Sequence, residues 1–232
     1  MSLPKTTNGI NSWPTSERPR ERLKEQGAAS LSDAELIAIL LRNGLPGKDA
    51  ITLARELVTH YGGLRGLLSV GWKDLEEVKG LGAAKIATLI STTEIARRQL
   101  REEIRGKDFI RDPQSIVGYL SFDLRDKKKE VFKVLFLNRA NHVINEKDLF
   151  HGTVDQAMVH PREVVKAALD SHATSVVLVH NHPSGRIEPS REDREITNKL
   201  HTALLTVSIK VLDHLIVGDN TYFSFREHNL LL

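Results

Sequence analysis

At 232 residues, 40% hydrophobic and 27% charged, the chain has the composition of an ordinary folded protein and room for one large domain or two small ones. It contains no cysteine, which excludes disulfides and thiolate metal sites, so any zinc must be held by histidine and carboxylate. The formal charge of +3 lies in the first part: residues 1–106 carry 16 Lys+Arg against 13 Asp+Glu, residues 107–232 carry 17 against 17, and an excess this small does not decide for nucleic acid. No apolar run approaches the ~20 residues of a membrane span. Met1 to Trp13 has no hydrophobic signal-peptide core, and a cytoplasmic protein is expected.

In chain order, residues 1–15 are polar and rich in Thr, Asn, Gly and Ser, and are expected to form a disordered tail. Arg18-Pro19-Arg20-Glu21-Arg22-Leu23 opens a helical region. Ser32-Asp33-Ala34-Glu35 predicts a helix start, with Leu36, Ile37, Ile39, Leu40 and Leu41 as its buried side and Asn43-Gly44 as its end. Ile51, Leu53, Leu57 and Val58 predict a second helix closed by Tyr61-Gly62-Gly63, and a short helix follows through Leu64–Leu68. A further helix ends at Lys79, Gly80-Leu81-Gly82 makes a turn, and another helix runs to about Arg101. This pair looks like a helix-hairpin-helix, whose glycines would let backbone N–H groups approach a DNA phosphate. A tight turn that needs glycine only for packing is the competing reading, and a protein-interaction module is another. The charged run Arg97–Arg105 reads as a solvated helix end, and the domain boundary is placed near residue 106. The expected division is a helical domain over 16–106 and a second domain over 107–232.

In the second part Ile110–Ser115 begins a helix ending near Leu120. Strands are predicted at Val131–Leu137, after Lys127-Lys128-Lys129, and at Val143–Phe150, with a turn at Asn138–Asn141 between them. A helix at Pro161–Ser171, a strand at Ser175–Val179, a helix at Ser190–Leu205 and strands near Ile209–Val217 and Tyr222–Ser224 complete the pattern. Strands mixed with helices indicate a sheet flanked by helices. Nine of the ten histidines fall in this part.

The most informative stretch is His180-Asn181-His182-Pro183-Ser184-Gly185, followed by Ser190-Arg191-Glu192-Asp193. Ser175–Val179 is an unbroken apolar run, as expected of a strand buried on both faces. Alternate strand residues share a side, so His180 and His182 can reach one ion. With Asp193 they make three ligands and leave a fourth position open, the set in which zinc lowers the pKa of a water to ~7. Ser190 and Asp193 also fit a helix N-cap and its third residue, a capping box needing no metal. A carboxylate fully engaged by a metal caps poorly, so the two roles compete for Asp193.

The spacing His180-x-His182, seven residues, Ser190, two residues, Asp193 resembles the JAMM (MPN-plus) metalloprotease motif, and His-Asn-His-Pro-Ser-Gly is similar to the RadC family of bacterial proteins. The likeness extends upstream through Val159–Val164 to Thr153 and downstream to Val211–Gly218. Ser16–Leu23 and Leu31–Leu36 match the family's N-terminal region. It implies an α+β protein: an all-α helix-hairpin-helix domain, then an α/β JAMM-like (cytidine-deaminase-like) domain with a mixed sheet flanked by helices. It further implies Zn2+ on His180, His182 and Asp193, Glu130 as the proton-transfer group, Ser190 as donor to the oxyanion, and a peptide or protein substrate. Glu146 and Glu163 compete with Glu130. Asn181 departs from the Ser or Thr usual in eukaryotic JAMM proteases, which makes their substrates an unsafe guide. Asp213-His214 is either support for a ligand histidine or a packed structural pair, the latter slightly favoured, and His160 and His172 are expected at the surface. The implied activity is zinc-dependent peptide or isopeptide hydrolysis with a helical module that binds DNA, through residues 79–85, or protein. The alternative is a non-enzymatic DNA-binding protein associated with repair or recombination. A cytidine-deaminase chemistry is excluded by the lack of cysteine.

Overall fold

The computed structural model of the chain describes residues 10, 13–152 and 159–231. Most of the tail expected over 1–15, and Thr153 at the upstream limit of the motif region, lie outside the described residues. The chain divides into two compact units, Met1–Ala96 and Arg97–Leu232.

In the first unit the described helices are α1 (Pro19–Gln26), α2 (Asp33–Leu41), α3 (Ala50–His60), α4 (Leu64–Ser69), α5 (Trp72–Glu76) and the start of α6 (Ala83–Ile104). Side chains set their starts. Ser32 and Glu35 form a reciprocal capping box on α2, and Asp49 accepts from the Ile51 and Thr52 amides on α3. Arg22 of α1 pairs with Glu35 at 2.6 Å and reaches the Ser30 carbonyl, which joins the two sequence segments Ser16–Leu23 and Leu31–Leu36. Ile37, Leu41, Leu53, Leu57, Leu67, Leu75, Ile86 and Leu89 fill one core. The helix before the glycine turn ends at Glu76, not at Lys79. Gly80 has φ +100°, and an added Cβ would overlap Leu45, so conformation and packing both require glycine there.

The second unit is a five-stranded mixed sheet between helices. Its elements are α7 (Pro113–Leu124), β1 (Glu130–Leu137), β2 (Val143–Gly152), α8 (Pro161–Asp170), β3 (Ser175–Asn181), α9 (Arg191–Leu205), β4 (Lys210–Val217) and β5 (Tyr222–Ser224). The strand order is β2-β1-β3-β4-β5, with β3 and β4 parallel and the other pairs antiparallel. A parallel pair needs a crossover, which α9 supplies. Val131, Leu135, Val177 and Val179 face Ile116, Leu120 and Leu124 of α7, while Phe132, Val134, Val176 and Leu178 face α8 and α9. Burial on both faces explains the unbroken apolar run of β3 and the apolar residues on either side of Lys133 in β1. The last turns of α6 belong to this unit, because Ile104 enters its core, Arg97 pairs with Asp123 at 3.6 Å and Arg101 with Glu146 at 3.0 Å. The division thus falls inside α6, ahead of residue 106. The charged run is a helix end that holds two buried carboxylates as well as meeting solvent.

Candidate metal centre

β3 is buried along its whole length, and at its C-terminal end His180 is fully buried between β1 and β4. His182 lies just past the strand and is half-buried. Its Nδ1 is 2.9 Å from the Arg186 carbonyl, which can only accept, so Nδ1 carries a proton and Nε2 is the nitrogen turned to the cluster. The turn that brings Arg186 back is closed by the Gly185 N–H on the His182 carbonyl at 2.9 Å.

Asp193 reaches the same place from the first turn of α9. The capping box is present: the Ser190 hydroxyl accepts the Asp193 N–H at 3.0 Å, and the Ser190 N–H and hydroxyl donate to Asp193 Oδ2 at 2.8 and 2.7 Å. The cap and the cluster do not compete after all. The box occupies Oδ2, while Oδ1 faces His180 Nε2 at 3.1 Å. His180 Nε2 and His182 Nε2 are 3.0 Å apart, and His182 Nε2 is 3.4 Å from Asp193 Oδ2. Among the described residues, these three side chains form the group able to hold a metal ion. Ligand atoms placed tetrahedrally about zinc at its usual bond lengths stand about 3.3 Å apart. The spacing and the nitrogen and oxygen donor set both fit such an ion.

The charge state of the cluster follows from burial and these contacts. Burial alone would raise the Asp193 carboxyl, but hydrogen bonds from His180, His182 and Ser190 hold it well below the usual carboxylate range. Burial lowers His180, with Asp193 opposing, whereas the Asp193 bond raises His182. Glu130 is pushed up to about 7, first by burial and then by the charge of Asp193, with His182 acting in the opposite sense.

Glu130 begins β1, which pairs with β3 so that Phe132 is opposite His180. Continuing that antiparallel register one pleat repeat onward places Glu130 across from His182. Asn181 holds this junction from the other face of the sheet. Fully buried, its Oδ1 accepts the Val131 N–H at 2.9 Å, and its Nδ2 donates to the carbonyls of Lys127 and Lys129 at 3.4 and 3.3 Å. The residue between the two histidines therefore fixes the backbone on both sides of Glu130. The competing glutamates lie elsewhere. Glu163 is at the exposed start of α8, paired with Arg162. Glu146 is buried on the α7 face, where the Tyr119 hydroxyl donates to it at 2.5 Å.

Asp213 and His214 point to different tasks. Asp213 accepts from Ser224 Oγ at 2.6 Å and the Arg226 N–H at 3.0 Å, tying β4 to the chain after β5. His214 turns to the cluster, with Nε2 2.8 Å from His180 Nδ1 and Nδ1 2.6 Å from Thr197 Oγ1. The structural reading holds for the aspartate and not for the histidine. Thr197, four residues after Asp193 and thus on the same helix face, is absent from the motif; that spacing was its sequence signal. His160 and His172 are exposed.

Among the described residues, no helix is long and apolar enough to cross a membrane. The sequence model described as RadC-like JAB domain matches residues 110–230, and that described as UPF0758 N-terminal matches residues 10–87. A UPF0758 protein of Thioalkalivibrio sulfidiphilus is 50% identical over 96% of this chain and 99% of its own length. UPF0758 proteins of Nitrosococcus oceani and Nitrosomonas eutropha are 49% and 47% identical over the same shares. With a family domain over more than half its length and relatives matching nearly end to end, the chain belongs to the RadC-like, UPF0758 family and carries that family's JAB domain.

Proposed function

We propose that the protein is a zinc-dependent metallopeptidase of the JAMM type that hydrolyses a peptide or isopeptide bond. The observation that carries this reading is the convergence of His180 Nε2, His182 Nε2 and a carboxylate oxygen of Asp193 at ligand spacing, with Glu130 at the adjacent strand start. When bound there, zinc supplies a Lewis acid that lowers the pKa of water to about 7 and polarises a carbonyl. His180, His182 and Asp193 hold the ion. Glu130 takes the proton from the attacking water and delivers it to the leaving amine, a task for a half-buried carboxyl at the strand start beside the ligands. The Ser190 hydroxyl, which otherwise bonds Asp193, donates to the oxyanion as charge develops there. Metal analysis should give close to one zinc per chain, and a peptide-substrate screen should return cleavage by the wild type that His182→Ala loses. Full zinc occupancy in a His180→Ala/Asp193→Ala variant, or undiminished cleavage by His182→Ala, sinks the reading.

A second reading concerns the first unit and rests on Gly82. Its φ is outside the left-handed region and an added Cβ would meet nothing within 4 Å, so neither strain nor packing accounts for glycine there. Close approach of a phosphate to the start of α6 would account for it, with Lys79 and Lys85 adding charge. We infer non-specific DNA binding through residues 79–85, as an accessory to hydrolysis or, in the alternative non-enzymatic reading, as the main activity. Affinity of the full chain for duplex DNA should fall steeply with salt, and less steeply in Lys79→Ala. No binding even at low salt would leave this unit as a protein-interaction module.

A further inference from the structure

Within the second unit, α6 ends against the outer edge of β2. The Gly106 N–H donates to the Val143 carbonyl at 2.9 Å and the Val143 N–H to the Lys107 carbonyl at 3.0 Å, so the turn after the helix is held beside that strand. Next to this junction a groove of about 420 Å³ opens between the last two turns of α6 and the start of β2. Sites for small organic ligands run from roughly 300 to 1,000 Å³, so the groove has room for more than an inorganic ion.

Arginine dominates the lining, and Arg98, Arg101 and Arg105 are exposed. Steps of three and four residues set them in one row along the end of the helix. A cation suits a helix C-terminus, which accounts for one arginine there and not for a row beside a cavity. Behind the groove Arg97, Arg101 and Lys133 meet Asp123, Glu146 and Asp148, three cations against three carboxylates. Of the other lining residues, Arg98 and Arg105 stand against Glu102 alone, and the groove keeps a net positive charge. The Arg105 guanidinium has no hydrogen-bond or ion-pair partner among the described residues.

The remaining walls ask for more than an anion. Ile104 and Val143 are buried and apolar. Glu146 is also buried, and its Oε1 is shared by Tyr119, Lys133 and Arg101. Its buried Oε2 has no hydrogen-bond partner among the described residues. A carboxylate oxygen can only accept, so it repels a bare phosphate and favours a hydroxyl or amino group. A ligand that matches the whole groove is anionic at one end, carries donors further along, and has a flat apolar surface.

We propose that this groove binds a mononucleotide. Its phosphate lies on the row of Arg98, Arg101 and Arg105, whose guanidinium forks match phosphate oxygens. A ribose hydroxyl or base amino group donates to Glu146 Oε2, and the base lies against Ile104 and Val143. The groove is at the β2 edge, two strands from β3 and its histidines, and zinc takes no part in it.

Titrating the full chain with AMP, GMP, CMP and UMP tests this, with a chelator present to keep phosphate off any metal ion. Calorimetry should give a Kd below about 1 mM for at least one of them, and the Nε–H signals of Arg101 and Arg105 should shift in 15N NMR spectra. The matching nucleoside and inorganic phosphate should each bind at least about 10-fold more weakly, because each meets only part of the lining. Arg105→Glu changes an exposed side chain and leaves the core intact; it should weaken nucleotide binding by about 10-fold or more, and Arg105→Lys, which loses only the fork, by less. Four nucleotides without binding, or undiminished binding in Arg105→Glu, overturn the proposal. Inorganic phosphate bound as tightly as the nucleotide marks an adventitious ion only. Duplex DNA affinity that falls in Arg105→Glu, with no mononucleotide bound by the wild type, makes the row a nucleic-acid contact and likewise overturns it.

Discussion

On one face of the sheet His180, His182 and Asp193 bring two imidazole nitrogens and a carboxylate together within 3.4 Å; on the other, Lys133 sits among Asp123, Asp148 and Glu146 at 3.1, 2.6 and 3.4 Å. Both clusters are largely buried, and each includes a strand residue that breaks or ends an apolar run. They differ in what completes them. The Lys133 ammonium faces three carboxylates, and Arg97 and Arg101 bring two more cations to Asp123 and Glu146, so positive and negative charge offset within the protein. Burial would lower the Lys133 pKa, but its three acidic neighbours raise it, which keeps it charged. The histidine cluster instead gathers two imidazoles and a carboxylate at one spot, and among the described residues no lysine or arginine pairs with Asp193. Buried polarity alone does not mark a functional site. Polarity that converges without internal neutralisation does, because it leaves an interaction for something from outside to complete.

That contrast predicts different failures for the two faces. Asp193→Ala should reduce bound zinc from about one per chain to near zero by metal analysis, since it removes the ligand and the cap that holds it. Glu130→Gln should keep zinc and fold but lower turnover by about 10²- to 10⁴-fold in a peptide assay, because an amide cannot accept the proton. Retained turnover would remove Glu130 from the chemistry.

On the opposite face the loss should appear in stability. Lys133→Ala removes the cation shared by the buried Asp123 and Glu146 and the half-buried Asp148 and should cost about 3–5 kcal/mol in denaturant unfolding, with zinc content of the folded fraction unchanged. Glu146→Gln is expected to cost about 1–3 kcal/mol, since Tyr119, Lys133 and Arg101 lose a charged partner. Without a motif match, Glu146 is expected to matter little to turnover; its burial puts the cost of the substitution in stability. Asn181→Ala joins the two faces, because its side chain works on one while its neighbours act on the other. It should cost roughly 1–3 kcal/mol and lower turnover while zinc stays bound; loss of zinc equal to that in Asp193→Ala would mean the residue serves the ligands directly.

Much of this protein was legible before folding was considered. Strand and helix periodicity placed β1, β3, α9 and β4 to within a residue or two, because burial on both faces leaves runs rich in apolar residues and a serine cap marks a helix start. α7 runs a turn beyond Leu120 to Leu124, since a short amphipathic pattern does not say where packing ends. The metal-type cluster was legible because its spacing is local: two histidines share a strand side, and the carboxylate follows on the next helix. What only the tertiary structure decided are the relations across strands. His214 meets His180 because β4 lies parallel to β3; Asn181 reaches the residues before β1 because β1 lies antiparallel to it; and Lys133, a lone lysine in an apolar strand, finds its acids on α7 and β2. Local pattern records which way a side chain leaves its own strand. Which partner waits there depends on strand order and register, and those follow from how the whole sheet buries its two faces.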